Sequence, residues 1–254
     1  MPQELTIVVP MAGLGSRFSQ AGYVDPKPLI RIHDVPMIRL VIENLRPSRP
    51  HRFVFVCQRS HVAAFGLAER FAQWAPGCAI VQLDGLTAGA ACTVLAAREH
   101  FGDGALMIAN SDQYIDAPID RYLGVLDEGY DGVIMTMTAS DPKWSFVEVD
   151  ADGLVRRVVE KEVISNEATT GIYSFAKCSD FVRSAEAMIG ADRRVNGEFY
   201  VAPVYNEMIA GGSRIAISSV GTDLAGMHGL GTPADLDAFL ASPVSRRSVS
   251  ACLS

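Results

Sequence analysis

Short apolar, β-branched runs alternate with longer stretches in which apolar residues return every three or four positions, and this alternation fills the first half of the chain. Residues 5–10, 53–58, 79–83, 105–110 and 132–138 read as buried strands. Residues 36–45, 60–74, 88–99 and 118–128 carry the period of helices that bury one face. Strand-helix alternation predicts an α/β fold with a mainly parallel sheet covered on both faces. In such folds ligands bind beyond the carboxyl ends of the strands, so the loops that follow strands are the places to look for chemistry.

The pattern changes after residue 140. Residues 145–149 and 154–159, separated by the turn Asp150-Ala151-Asp152-Gly153, predict an antiparallel hairpin and hence a mixed sheet. A strand at 170–175, helices at 179–188 and near 203–210, and a strand at 214–218 follow. The closing helix begins at Thr232-Pro233-Ala234-Asp235, with an N-cap residue, a proline in the first turn and an acid at the third position. Neither a repeat nor a linker divides residues 1–241, which read as one domain. The serine-rich end, 242–254, reads as a flexible tail.

Composition narrows the function classes. A chain of 254 residues with 49% hydrophobic content buries a sizeable core without disulfide or metal staples. Cys57, Cys78, Cys92, Cys178 and Cys252 are scattered without C-x-x-C spacing, which predicts reduced thiols and a cytoplasmic location. The N-terminal apolar run has no basic flank or cleavage site and no stretch reaches membrane-spanning length, so neither a signal peptide nor a membrane partner is expected. With a net charge of -7 and only short, dispersed arginine pairs, nucleic acid is not an expected partner either. An anionic small molecule must be held by local groups, and a homo-oligomer stays open.

One local group stands directly behind the first strand: Pro10-Met11-Ala12-Gly13-Leu14-Gly15-Ser16-Arg17-Phe18, followed by Pro26-Lys27-Pro28-Leu29. Gly13 and Gly15 let the backbone turn sharply and aim several N–H groups into one concavity suited to phosphate oxygens. A dinucleotide-binding fingerprint needs a glycine where Phe18 stands, and a P-loop needs Gly-Lys-Ser/Thr at its close, so neither common alternative fits. What remains suits attack on the α-phosphate of an NTP. Arg17 has the fork to meet β- and γ-oxygens, and Lys27 is a point charge for the α-phosphate. Alone, either residue reads more simply as a solvated surface cation; the combination in this place carries the prediction. Asp112 follows the strand at 105–110, where a carboxylate suits Mg²⁺, which takes one or two carboxylates together with phosphate oxygens. Asp112-Gln113-Tyr114 is not an Asp-x-Asp triplet, which weighs against a glycosyltransferase.

The stretch from Val9 to Leu29 resembles the signature of the sugar-phosphate nucleotidyltransferases, the family that includes glucose-1-phosphate thymidylyltransferases, and most of all a short branch that opens Pro-Met-Ala-Gly-x-Gly-Ser-Arg-Phe. The resemblance continues through Asn110-Ser111-Asp112, Val159-Glu160-Lys161, Thr170-Gly171-Ile172-Tyr173 and Gly229-Leu230-Gly231-Thr232-Pro233. It implies a Rossmann-like mixed sheet of the nucleotidyltransferase and GT-A type. It also implies NTP binding by Ala12, Gly13, Leu14, Gly15, Ser16 and Ser111, and a catalytic Mg²⁺ on Asp112. Gln82, Gly85, Thr87 and Gly89 fall in the implied nucleobase loop, although Thr87 serves equally well as a helix N-cap. Glu160 and Lys161 are implied contacts to a phosphorylated small-molecule acceptor, with Thr170, Gly171 and the segment Asn196 to Tyr200 completing that pocket. The family places a second metal-binding aspartate where this chain has Gly229.

The expected reaction is a direct in-line displacement in which the acceptor phosphate attacks the α-phosphorus and pyrophosphate leaves. That nucleophile is already anionic, so the lack of a Ser-His-Asp or Cys-His set is no obstacle. Three rivals remain: a cytidylyltransferase for a non-sugar phosphate or phosphonate, a glycosyltransferase that would release a nucleoside diphosphate, and a non-catalytic nucleotide-binding domain.

Overall fold

The first apolar run forms β1 (Leu5–Pro10), and a computed structural model, which describes residues 4–252, shows the sheet growing outward from it. In chain order follow α1 (Ser16–Gln20), β2 (Arg31–Ile32), β3 (Val35–Pro36), α2 (Met37–Leu45), β4 (His51–Gln58), α3 (Arg59–Phe65), α4 (Leu67–Trp74), β5 (Ala79–Leu83), α5 (Ala90–Leu95), β6 (Leu106–Ala109), β7 (Gln113–Ile115), α6 (Ile119–Leu126) and β8 (Gly132–Thr138). The hairpin β9 (Ser145–Val149) and β10 (Val155–Glu160) comes next, then β11 (Glu167–Phe175), α7 (Cys178–Gly190), α8 (Val204–Ala210), β12 (Ile215–Asp223), β13 (Gly226–Gly229), α9 (Pro233–Ala241) and α10 (Pro243–Ser250).

The large sheet runs β5-β4-β1-β6-β11-β8-β12-β13-β7, with the β9/β10 hairpin attached to β11. β5, β4, β1 and β6 are parallel; β11 lies antiparallel between β6 and β8, which makes the sheet mixed as expected. Residue alternation along β1 divides the interior. Ile7 and Val9 join Phe55, Phe71, Tyr122 and Leu123 on the face covered by α2, α4 and α6. Val8 joins Val54, Val56, Val94, Phe181 and Tyr205 on the face covered by α5, α7 and α8. Burial on both faces is why these strands read as unbroken apolar runs.

Several expected elements differ in detail. The single helix expected at 60–74 is two, because Gly66 takes a left-handed conformation (φ 57°) that ends α3 and starts α4. The helix expected at 88–99 shrinks to α5, and its start is Gly89 rather than Thr87. β7 and β13 pair with each other, Gln113 opposite Gly229, and neither run is long enough to announce itself.

The end of the chain is a correction. Residues 242–254 are not a flexible tail as far as Cys252: Pro243 opens α10, and Val249 and Cys252 are buried with Phe18, Ile30, Leu40, Leu230 and Phe239 in a third apolar cluster. Three of the serines that suggested disorder, Ser245, Ser248 and Ser250, bond to carbonyls three residues back. Ser245 donates to Ser242 O at 2.9 Å and Ser248 to Ser245 O at 2.8 Å, while Arg247 pairs with Asp116 at 2.6 Å. This cluster seats α1, the helix that leaves the phosphate loop, through Phe18. Among the described residues no helix is long and apolar enough to cross a membrane.

A chain ending at Ala241 is expected to lose about 2 kcal/mol of apolar burial and to melt roughly 4–8 °C lower. An unchanged thermal midpoint would show that α10 is not integral to the fold.

Candidate functional site

The carboxyl ends of β1, β4 and β6 face one opening, and the loops that leave them surround it. Behind β1, Met11 N–H bonds to Val56 O at 2.8 Å and carries the chain over the edge of the sheet. Gly15 then turns with φ 62°, a left-handed conformation that favours glycine, and a Cβ there would press on Lys27 Cβ at 3.2 Å. The two prolines around Lys27 act together: Leu29 N–H bonds back to Pro26 O at 2.8 Å, and Pro28 and Leu29 are buried. Lys27 thus projects from a rigid turn.

Its ammonium meets Asp112 Oδ2 at 2.9 Å, with the two side chains 24% and 23% exposed. Asp112 is fixed from below by its own carbonyl, which accepts Leu230 N–H at 2.8 Å. A Cβ at Gly231 would lie 2.8 Å from the carboxylate. The glycine of the Gly-Thr-Pro segment therefore keeps space beside Asp112, a role the sequence motif contained without declaring.

Beside this pair lies a cavity of about 360 Å³. Of the expected residues, Ala12, Gly13, Lys27, Thr87, Gly89, Ser111 and Asp112 line it, joined by Asn110 and Glu198, which the sequence reading did not single out for it. Leu14, Gly15, Ser16 and Arg17 continue the loop past the lining. Arg17 is exposed and makes no side-chain hydrogen bond or ion pair among the described residues.

The expected base loop is present, with its parts rearranged. Thr87 does not cap α5; its hydroxyl bonds to Gly89 O at 2.9 Å and meets Thr93 Oγ1 at 2.6 Å, closing the loop on itself. Gly89 (φ 133°) lies directly under the Phe199 backbone, which a Cβ would strike. Phe199 N–H bonds to Ala88 O at 2.9 Å and Ala91 N–H to Phe199 O at 3.0 Å, so the segment around residue 199 is clamped to this loop. Gln82 does not line the cavity: it is exposed on β5 and accepts a 3.4 Å contact from Arg59. Gly85 also lies outside the lining, but its carbonyl is held by Gln58 at 3.2 Å.

The expected acceptor residues gather at the end of the β9/β10 hairpin, apart from the cavity lining. Glu160, 9% exposed, accepts a short hydrogen bond from Ser145, and burial holds its carboxyl above the ordinary range. Lys161 adopts a left-handed conformation (φ 58°), donates to Tyr200 Oη at 2.6 Å and sits 4.7 Å from that ring; the hydrogen bond to Tyr200 raises its pKa. Gly171 (φ 87°) lies in the irregularity that breaks the β11/β8 register, where a side chain would strike the amides of Asn110 and Gln113. Thr170 is not brought in. It is 1% exposed and its hydroxyl points into the sheet, on Met135 O at 3.3 Å.

Asp112 gives a divalent ion one carboxylate beside space for phosphate oxygens, a donor set that fits Mg²⁺. Among the described residues no three His, Cys, Asp or Glu side chains gather to hold a metal unaided. At Gly229, a Cβ would meet Asp235 Cγ and the Trp144 ring at 3.8 Å, but the Asp235 carboxylate already accepts the Thr232 hydroxyl at 2.7 Å at the start of α9. His228 faces inward between Tyr114 and Phe239, and burial lowers its pKa.

Residues 7–189 match the Nucleotidyl transferase family, and the chain belongs to it. Bifunctional protein GlmU of Gluconacetobacter diazotrophicus is 29% identical over 248 residues, 92% of this chain and 50% of that protein. The chain thus spans about half the length of that curated relative. Among solved structures, the nucleoside-diphosphate-sugar pyrophosphorylase of Vibrio cholerae RC9 superposes with a TM-score of 0.80 at 25% identity, covering 93% of this chain and 100% of that one. The inositol-1-phosphate CTP transferase of T. maritima shares the fold, with a TM-score of 0.76 at 15% identity over 98% and 99% of the two chains.

Because burial raises the Glu160 pKa, the folded protein holds that proton more tightly than the unfolded chain does. The group therefore favours the fold below its ordinary value of 4.5, and this contribution is lost as the pH rises through the folded pKa. Glu160→Gln is expected to melt above the parent protein at pH 8, with the difference shrinking toward pH 4. Equal midpoints at pH 8 would remove the burial argument.

Proposed function

We propose that the chain transfers the nucleoside monophosphate of an NTP to the phosphate of a small phosphorylated acceptor, a sugar 1-phosphate before others, and releases pyrophosphate. The observation that carries this reading is the Lys27–Asp112 contact at 2.9 Å in a cleft floored by the glycine loop. The sugar acceptor draws support from the pyrophosphorylase of Vibrio cholerae and from the GlmU relative.

In this reading an acceptor phosphate oxygen forms the new bond to the α-phosphorus while the α–β bridging bond breaks, and pyrophosphate leaves with its electron pair. Loop amides from Ala12 to Ser16 hold phosphate oxygens, and Ser111 stands beside them at the nucleotide. Lys27 neutralises charge that grows on the α-phosphate, and Arg17, unengaged at the rim, closes on the β- and γ-oxygens. Asp112 would hold Mg²⁺, which when bound supplies further positive charge to the phosphate oxygens. Glu160 and Lys161 orient the acceptor, the lysine by turning from Tyr200 toward its phosphate. The nucleophile needs no base, so catalysis rests on positioning and charge.

The reading is tested by pyrophosphate release from each of four NTPs offered with sugar 1-phosphates and with amino-alcohol phosphates. Release only with the latter would replace the sugar, and nucleoside diphosphate in place of pyrophosphate would overturn the reaction. Arg17→Ala, an exposed site without partners, is expected to keep the fold and lose two or more orders of magnitude in turnover. Near-normal release by the folded variant would refute its role. Asp112→Asn is expected to abolish the dependence of turnover on Mg²⁺, and an unchanged metal titration would remove this residue from the site.

A further inference from the structure

The sheet order places β4 between β5 and β1, so the loops that leave those two neighbours part across the end of β4. Gln58 is the last residue of β4, level with Leu83 at the end of β5 and two residues beyond Val56, which pairs with Pro10 at the end of β1. Its side chain fills the gap. Nε2 donates to Ala12 O in the phosphate loop at 2.7 Å and to Gly85 O in the base loop at 3.2 Å. Both partners are carbonyl oxygens, so the bridge needs a group with two protons to give, which the Gln58 NH₂ supplies without adding a charge.

We infer that Gln58 is a positioning residue that sets the gap between the phosphate loop and the base loop, and through that gap the affinity for the nucleotide. The inference rests on the NTP reading of this cleft. Ala12, one of the two bridged residues, and Leu86, next to the other, line the cavity, while Gln58 itself is 8% exposed and lies behind the lining. The next residue, Arg59, grips the same base loop from outside through Asp84 at 2.6 Å. The far end of that loop is pinned by Phe199 over Gly89. With both ends of the loop held, the Gln58 amide fixes how far it stands from the phosphates. Glutamate would place acceptor oxygens against two carbonyls, and methionine would fill the same length without a donor.

The test is steady-state pyrophosphate release by Gln58→Met, with each substrate varied against saturating amounts of the other, beside calorimetric NTP binding. The expected result is a KM for the NTP raised about tenfold, a KM for the acceptor within about twofold of the parent, and an unchanged circular dichroism spectrum. Gln58→Asn keeps the amide but reaches only one loop; it is expected to weaken NTP binding in the same direction, and it carries the test if the methionine variant does not fold. A folded variant with parental NTP affinity, or one that loses only kcat or weakens both substrates equally, would overturn the inference. If the parent protein releases no pyrophosphate yet binds an NTP, the proposed reaction fails while calorimetry still decides the role of Gln58.

Discussion

Lys27 and Asp112, 85 positions apart in sequence, meet at 2.9 Å, and the arrangement of the cleft follows from that contact. Each end is delivered by a different device: a proline-bracketed turn for the lysine, and the end of a buried strand for the aspartate. Both side chains are about three-quarters covered, so each depends on the other for charge balance. In the proposed reaction the same proximity places an ammonium and a metal-binding carboxylate around one phosphate. Little rearrangement is then needed, since the substrate separates two charges already held at the right depth.

Glycine is used here to let one part of the chain touch another. Gly15 admits Lys27, Gly231 leaves room for the Asp112 carboxylate, and Gly89 lies flat under Phe199. The last contact joins the loop expected to read the base to the segment of Glu198 and Tyr200. Since Tyr200 also holds Lys161, one short stretch of chain touches both of the proposed substrate regions. A shift at residue 199 would be felt by both.

Among the legible strands, β1 and β8 are buried on two faces, which forces a continuous apolar run, and both lie where the period placed them; β5, a half-buried edge strand, also keeps its expected bounds, and β4 and β6 differ only at their ends. β7 and β13 were not legible, because each exists through the other and neither carries enough residues for a period. The C-terminal segment was misread because its serines were weighed by composition, whereas Ser245, Ser248, Val249 and Cys252 recur at helical spacing and turn inward. In the site, Ala12, Gly13, Lys27 and Asp112 were legible because a loop after a parallel strand has one place to go. Gln82 and Thr170 went elsewhere for a reason that residue type does not carry: the pleat turns Gln82 outward from β5 and Thr170 into the sheet. Gln58 was read only as the end of a strand, since its partners are main-chain oxygens of two other loops.

In the proposed reaction the charge arrangement would let a chain of net charge -7 receive polyphosphate. The three cations named in the proposed reaction are held with different degrees of restraint. Lys27 is locked onto Asp112, Lys161 rests on the oxygen and ring of Tyr200, and Arg17 has no side-chain partner among the described residues. A fixed cation suits the reacting phosphorus, where a small displacement is costly. In the proposed reaction a guanidinium without a side-chain partner among the described residues suits the leaving pyrophosphate, which would be caught on entry and released afterward. Lys161, held on the Tyr200 hydroxyl and ring, would meet an incoming acceptor phosphate in the proposed reaction. In that reading the three cations and the loop amides would act together to offset the overall negative field around an anionic substrate.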